Sequence, residues 1–270
     1  GNGRRNDRKR ESFMITGIQV SSFKPMLTTE EEVRTAFFKM KEMGCDTVQL
    51  QWIDWSVTPE FIAQALKDAG ISSVSTQDFY QTVKEHKDYF IRLNQLCGSE
   101  WVCVSGIPDS NRTPEGLQAF VKELSEFQKE LREQGLKLCF HPRHMEFRPI
   151  GQADPVEYLM DHLPEEAALC LDLYHVNHAG LSMEKVIRKY RGKICMVHFK
   201  DYRKAGDQEI LVPAGQGDTD WKEALKACRE TGIPYGFVEQ ERWEKDPFLC
   251  LKEAFDWLNE NLTDLQKEEK

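Results

Sequence analysis

Eight short apolar runs recur along the chain, separated by stretches of helical periodicity, and this alternation constrains the fold more than any other feature. The runs are Phe13 to Ser22, Thr47 to Trp52, Ser72 to Gln77, Trp101 to Ile107, Lys137 to His141, Ala168 to Leu173, Ile194 to Phe199 and Tyr235 to Glu239. Their length and their content of β-branched and aromatic residues suit buried strands. The stretches between them carry helix punctuation. Thr28 and Thr29 precede Glu30, Glu31 and Glu32, a cap followed by first-turn acids, and Gly44 closes that helix. Thr58-Pro59, Thr113-Pro114 and Asp154-Pro155 open others, as do Ser182 and Asp220-Trp221. A third helix is expected near Thr82 to Leu96 and a last one near Pro247 to Leu262.

Strand and helix alternating eight times predicts the α/β class and a single-domain, closed parallel (β/α)8 TIM barrel. An open sheet is disfavoured because no Gly-rich dinucleotide turn follows the first run. At 270 residues, with 40% hydrophobic and 30% charged, the chain has the size and balance of one such barrel. Residues 13–263 are assigned to it, 1–12 to a disordered basic leader (Arg4, Arg5, Arg8, Lys9, Arg10) and 264–270 to a charged tail that frays.

Several function classes fall away. A net charge of −9 argues against a nucleic-acid partner, whose binding needs clustered cations. No apolar run approaches the ~18 residues of a membrane span and no signal-peptide core is present, so no membrane partner is expected. The eight cysteines lack any Cys-x-x-Cys pair, and Cys103, Cys139, Cys170 and Cys195 lie inside strand-like runs. They read as reduced, and the protein as cytoplasmic.

The carboxyl ends of barrel strands converge on one mouth, so acids and imidazoles at those ends can meet there. The fifth run ends in His141-Pro142-Arg143-His144-Met145-Glu146-Phe147 and the sixth in Leu171-Asp172-Leu173-Tyr174-His175. The seventh supplies His198-Phe199-Lys200-Asp201 and the eighth Val238-Glu239-Gln240-Glu241. A carboxylate such as Asp172 inside an apolar run needs a partner or an ion. One His or Asp at a barrel rim is ordinarily structural, whereas four in register point to a site. His178, Asp201 and Glu241 read as solvated loop residues, and His86 and His162 as surface. Gly215-Gln216-Gly217-Asp218-Thr219-Asp220-Trp221 reads as a turn capped by Asp220 or as a phosphate cradle. Trp52 and Trp55 read as a wall against a sugar ring or as rim packing.

Taken together, His-x-x-His-x-Glu-Phe at 141–147, Leu-Asp-x-x-His at 171–175, His-Phe-Lys-Asp at 198–201, Gly-x-Gly-x-x-Asp-Trp at 215–221 and Val-Glu-Gln-Glu at 238–241 resemble the xylose isomerase-like barrels, in particular the sugar phosphate isomerase/epimerase branch. The resemblance implies one divalent ion (Mn, Mg, Co or Zn) held by Glu146, Asp172, His198 and Glu239. Relatives read His-Asn-His-x-x-Glu-Phe where this chain has Pro142 and Arg143, which leaves the fifth-strand ligand open between Glu146 and His141. Such an ion stabilises the charge that develops when a proton α to a carbonyl departs. Glu239 or Glu146 is the expected base, with His175 or His141 binding or protonating a substrate oxygen. Arg143, His144, Lys200 and Trp52 are the expected substrate contacts, Arg143 for an anionic group.

The expected activity is a sugar or sugar phosphate isomerase/epimerase on a small-molecule substrate, in a barrel of a kind that often self-associates. An inosose dehydratase-like lyase, a nuclease resembling endonuclease IV and a non-catalytic sugar-binding relative are the competing readings.

Overall fold

The computed structural model describes residues 14–270, so the basic leader lies outside the described residues. Eight parallel strands close into a barrel: β1 (Ile15–Gln19), β2 (Thr47–Leu50), β3 (Ser72–Phe79), β4 (Trp101–Ser105), β5 (Lys137–His141), β6 (Ala168–Asp172), β7 (Ile194–Phe199) and, after an intervening hairpin, β10 (Tyr235–Val238). β10 pairs with both β7 and β1, which completes the ring. Gly17 makes part of this closure possible, since a Cβ there would stand 2.1 Å from Thr47 O.

The helices are α1 (Glu30–Glu42), α2 (Pro59–Ala69), α3 (Tyr80–Glu85), α4 (Lys87–Cys97), α5 (Pro114–Glu133), α6 (Pro155–His162), α7 (Leu173–His178), α8 (Met183–Lys189), α9 (Lys222–Glu230) and α10 (Pro247–Glu268). Thr29, Thr58, Thr113, Asp154 and Ser182 each accept a first-turn backbone N–H, as their positions predict. The main core lies between these helices and the outer face of the strands, with Phe37, Phe120, Leu124 and Phe140 fully enclosed. A second apolar layer fills the barrel floor with Cys103, Cys139, Cys170, Cys195, Met196 and Phe237. All eight cysteines are free thiols. No helix of the described residues is long and apolar enough to cross a membrane.

Two local expectations are corrected, and two elements add to the expected pattern. The helix near Thr82 to Leu96 is two helices broken at His86 (φ −127°, ψ 35°), whose ring stacks on Trp55 at 4.3 Å. An antiparallel hairpin, β8 (Asp201–Ala205) and β9 (Gln208–Val212), stands between β7 and α9 and turns at Gly206 (φ 65°). An additional helix, α7, starts directly after β6 because the Asp172 side chain caps it. The charged tail continues α10 to Glu268, with Leu262 and Leu265 packed on the core and Arg229 donating to Glu269.

Candidate metal and catalytic site

Parallel register brings the first two candidate groups side by side, since Asp172 and His198 are direct partners across β6 and β7. His141 ends the neighbouring strand β5, and one ligand atom from each of His141, Asp172 and His198 falls within 4.8 Å of the others. All three side chains are buried. Asp172 uses one oxygen to cap α7, accepting from His175 N at 3.3 Å. Its other oxygen, Oδ2, lies 3.4 Å from His141 Nε2 and 3.6 Å from His198 Nδ1. Burial opposes charge on this carboxyl, but His175, Lys200 and the two site histidines hold it well below the ordinary carboxylate range. His141 is pushed down, first by burial, and stays neutral near pH 7.

Both imidazoles are fixed from behind. Ser105, the register partner of His141 on β4, places Oγ 2.9 Å from Nδ1 and 3.3 Å from His141 O, which orients the ring with Nε2 facing Asp172. His198 Nε2 lies 2.5 Å from Gln49 Oε1. His198 Nδ1 has no hydrogen-bond partner among the described residues, although Glu239 Oε2 stands 3.5 Å away and Asp172 Oδ2 slightly farther. An orphaned buried nitrogen between two carboxylates is the environment a cation satisfies. These separations suit atoms that each sit about 2.0–2.2 Å from one shared ion. The donor set therefore fits a divalent metal, with His141, Asp172 and His198 as its core and Glu239 at its edge.

Glu146 sits elsewhere. The chain leaves β5 through a short 3-10 turn, His144–Phe147, which carries this carboxylate away from the cluster. One oxygen accepts from Arg143 N (3.1 Å) and Arg143 Nε (3.0 Å), and the other pairs with Arg112. This differs from the expectation that Glu146 ligates the ion or acts as base: its charge is neutralised by two guanidiniums and both oxygens are engaged. Arg143 is likewise folded inward, packed so closely on Gly106 (φ 75°) that a Cβ there would meet its Nη2 at 2.6 Å. The departure at Pro142-Arg143 therefore has a structural counterpart, in which His141 rather than Glu146 faces Asp172.

At the mouth, Lys200 is buried between Glu239 (3.3 Å) and Glu241 (3.0 Å), with Nζ 4.5 Å from the Tyr174 ring centroid. Burial would lower its pKa, but Glu241, Glu239 and Asp172 more than offset this and hold it above the usual lysine value. Burial and Glu241 push Glu239 well up, while Lys200 overcomes burial to bring Glu241 down to about 2. His175, pushed down to about 3 mainly by burial, has its Nε2 3.9 Å from Asp172 Oδ2. Its ring stacks on His144, and His178 meets His144 edge-on at 5.1 Å while its Nδ1 lies 3.6 Å from Glu209 Oε2. Glu241, expected to be a solvated loop residue, is thus tied into the mouth by Lys200, whereas His178 is exposed, as expected, at the end of α7.

Trp52 lies apart from the three-residue cluster. With φ 61° it stands two residues past the end of β2, and it lines a cavity of about 350 Å³ shared with Lys24, Asp78, Trp55, Phe79 and Tyr89 and with none of the cluster residues. Asp201 is fully buried, and its Oδ2 accepts from Gly215 N (3.0 Å), Gly217 N (3.1 Å) and Trp221 Nε1 (2.9 Å). The glycine turn is therefore a cradle already filled by the protein's own carboxylate, which replaces the phosphate reading and the solvated-loop reading of Asp201 together. Ser105, Gln49 and Arg112 carry weight that sequence reading missed. Gln49 left a faint signal, a polar residue in the middle of an apolar run.

The sequence profile of the family described as xylose isomerase-like TIM barrel matches residues 37–261. An inosose dehydratase of Clostridium perfringens is 25% identical over 229 residues, covering 70% of this chain and 74% of that protein. Among solved structures, an L-ribulose 3-epimerase superposes with a TM-score of 0.76 at 16% identity, over 95% of this chain and 97% of the other. The IOLI protein, solved with a zinc atom, superposes with a TM-score of 0.67 at 16% identity, over 93% and 97%. At these identities the structural likenesses speak for the fold.

Proposed function

The chain belongs to the xylose isomerase-like TIM barrel family, and from that premise we propose a divalent-metal-dependent enzyme that moves the proton α to the carbonyl of a small polyhydroxylated substrate, in the manner of an aldose–ketose isomerase. The observation that carries this reading is His198 Nδ1, buried and without a hydrogen bond between Asp172 and Glu239. Two imidazoles with one or two carboxylates suit a borderline ion such as Co²⁺ or Zn²⁺, or the harder Mn²⁺. When bound, such an ion supplies Lewis-acid stabilisation of negative charge on substrate oxygen.

Glu239 is the proposed base. Its Oε2 reaches the cluster and its Oε1 is held by Lys200, so the carboxylate is aimed while the ammonium balances its charge. His175, neutral across the physiological range, presents a ring N–H to a substrate oxygen rather than a positive charge. Burial around Asp172, His198 and Glu239 excludes bulk water, which strengthens each of these interactions.

One-base chemistry suits this arrangement better than epimerisation, which needs an acid–base group on each face of the carbon. Glu146, the second carboxylate expected there, is committed to Arg112 and Arg143. Dehydration of a keto-polyol is the second reading, supported by the similarity to inosose dehydratase and by the same single base. The test incubates the Mn²⁺-, Co²⁺- or Zn²⁺-loaded protein with aldoses, ketoses and inososes in D₂O and follows deuterium next to the carbonyl by NMR. Uptake in the wild type, lost in Glu239→Gln even when that variant is saturated with the ion, is expected. Fully loaded protein that exchanges no proton in any of these compounds overturns the reading.

A further inference from the structure

A chain of side-chain amides crosses the barrel interior from β1 to His198. It begins at a backbone N–H, that of Ser21, which donates to Gln19 Oε1 at 3.1 Å. A backbone N–H can only donate, so this contact fixes which end of the Gln19 amide is oxygen. Gln19 Nε2 must then donate, and it does so to Gln49 Oε1 at 2.9 Å and Gln77 Oε1 at 3.4 Å. The other end of the Gln49 amide agrees: Nε2 donates to Ser75 Oγ at 3.3 Å, and Ser75 spends its own proton on Thr76 O at 2.8 Å. Gln49 Oε1 is therefore an acceptor, and His198 Nε2, 2.5 Å from it, must carry a hydrogen.

We infer that Gln49 is a positioning residue that holds His198 as the Nε2–H tautomer, so that its Nδ1 lone pair is delivered to the space shared with Asp172 and Glu239. The inference rests on the metal reading above only for what Nδ1 then binds. Without Gln49 the opposite tautomer gains an advantage, because Nδ1–H would point towards the carboxylates of Asp172 and Glu239 at 3.6 and 3.5 Å. That tautomer has no lone pair to offer an ion. Gln49, Gln19 and Ser75 are all fully buried, so bulk water does not take the place of a lost amide, and the other contact to Nε2 is the weakly bonding Cys170 Sγ at 3.4 Å. Of the cluster residues Gln49 meets His198, through which it acts.

The experiment uses full-length protein labelled with ¹⁵N at histidine. Long-range ¹H–¹⁵N spectra of the metal-free protein report the tautomer of His198, identified by its loss in His198→Ala. Competition against a chromophoric chelator reports Co²⁺ and Zn²⁺ affinity. The wild type should show Nε2–H. Gln49→Leu should shift His198 towards Nδ1–H and weaken both ions by about 10–100-fold, the usual effect of losing a residue that orients a ligand. Gln49→Glu, which keeps an acceptor oxygen, should retain the Nε2–H tautomer. A wild-type spectrum with Nδ1–H, or a folded Gln49→Leu protein with wild-type tautomer and affinity, overturns the inference. A wild type that binds neither ion, yet shows Nε2–H that shifts in Gln49→Leu, supports the role of Gln49 and overturns the metal reading.

Discussion

Asp172 caps the helix that carries His175, accepting its backbone N–H on Oδ1 while Oδ2 faces His141 and His198. One carboxylate thus starts α7, sets where His175 enters the mouth and contributes to the cluster. Asp172→Ala should lose bound metal and also cost about 1 kcal/mol of stability as a missing cap. His198→Ala should lose metal with no helix to uncap. Elemental analysis beside urea unfolding separates these effects, and a fully loaded His198→Ala protein would refute the site.

Glu146 yields the opposite expectation. Because Arg112 and Arg143 hold both its oxygens, Glu146→Gln should keep the metal stoichiometry of the wild type, whereas His141→Ala should lower it. Metal lost in Glu146→Gln and kept in His141→Ala would restore the ligand set carried over from the family resemblance.

Gly217 touches Asp201 so closely that a Cβ would stand 2.2 Å from Asp201 Oδ1 and 2.3 Å from Tyr202 O. Gly217→Ala should cost about 3 kcal/mol, the upper end for overpacking. Asp201→Ala should cost a similar amount by orphaning the Gly215, Gly217 and Trp221 donors. Denaturant midpoints within error of the wild type for both variants would contradict the cradle.

Asp78, beside Trp52, gives a pH signature. Burial raises its pKa, against the opposing pull of the Phe79 amide and Trp52. A raised folded-state pKa contributes stability that is present below the unfolded value of about 3.9 and is lost as pH rises through the folded value. The neutral-pH protein therefore bears the cost of a buried charge. Asp78→Asn should melt higher than the wild type at pH 7, with the gain shrinking as pH falls through the raised folded value towards about 4. Melting curves at both pH values check this; a gain that grows on acidification would reverse the assigned sign.

Local signals were legible where chemistry and pattern are local. Lys137–His141 and Ile194–Phe199 are strands with the expected limits, because a run enclosed on both faces is largely apolar, as Leu138-Cys139-Phe140 and Ile194-Cys195-Met196-Val197 are. Thr113-Pro114 starts α5 because cap and proline act within one turn. The β8–β9 hairpin was hidden since β8 is polar and mostly exposed and β9 is apolar only over Ile210, Leu211 and Val212, so the turn at Gly206 stood between polar residues.

By itself the sequence determined the barrel, since the count and spacing of strand and helix signals leave few other closures, and it placed Asp172, His198 and Glu239 at the ends of consecutive barrel strands. Tertiary structure alone decided which neighbours those groups meet. That Glu146 is taken by Arg112, thirty-four positions away, depends on where two loops cross. That His198 meets Gln49 across 149 positions depends on ring closure, which brings non-adjacent strands face to face inside the barrel. Propensity and capping act within a few residues, whereas ion pairing and tautomer choice act through space, so only the folded chain fixes them.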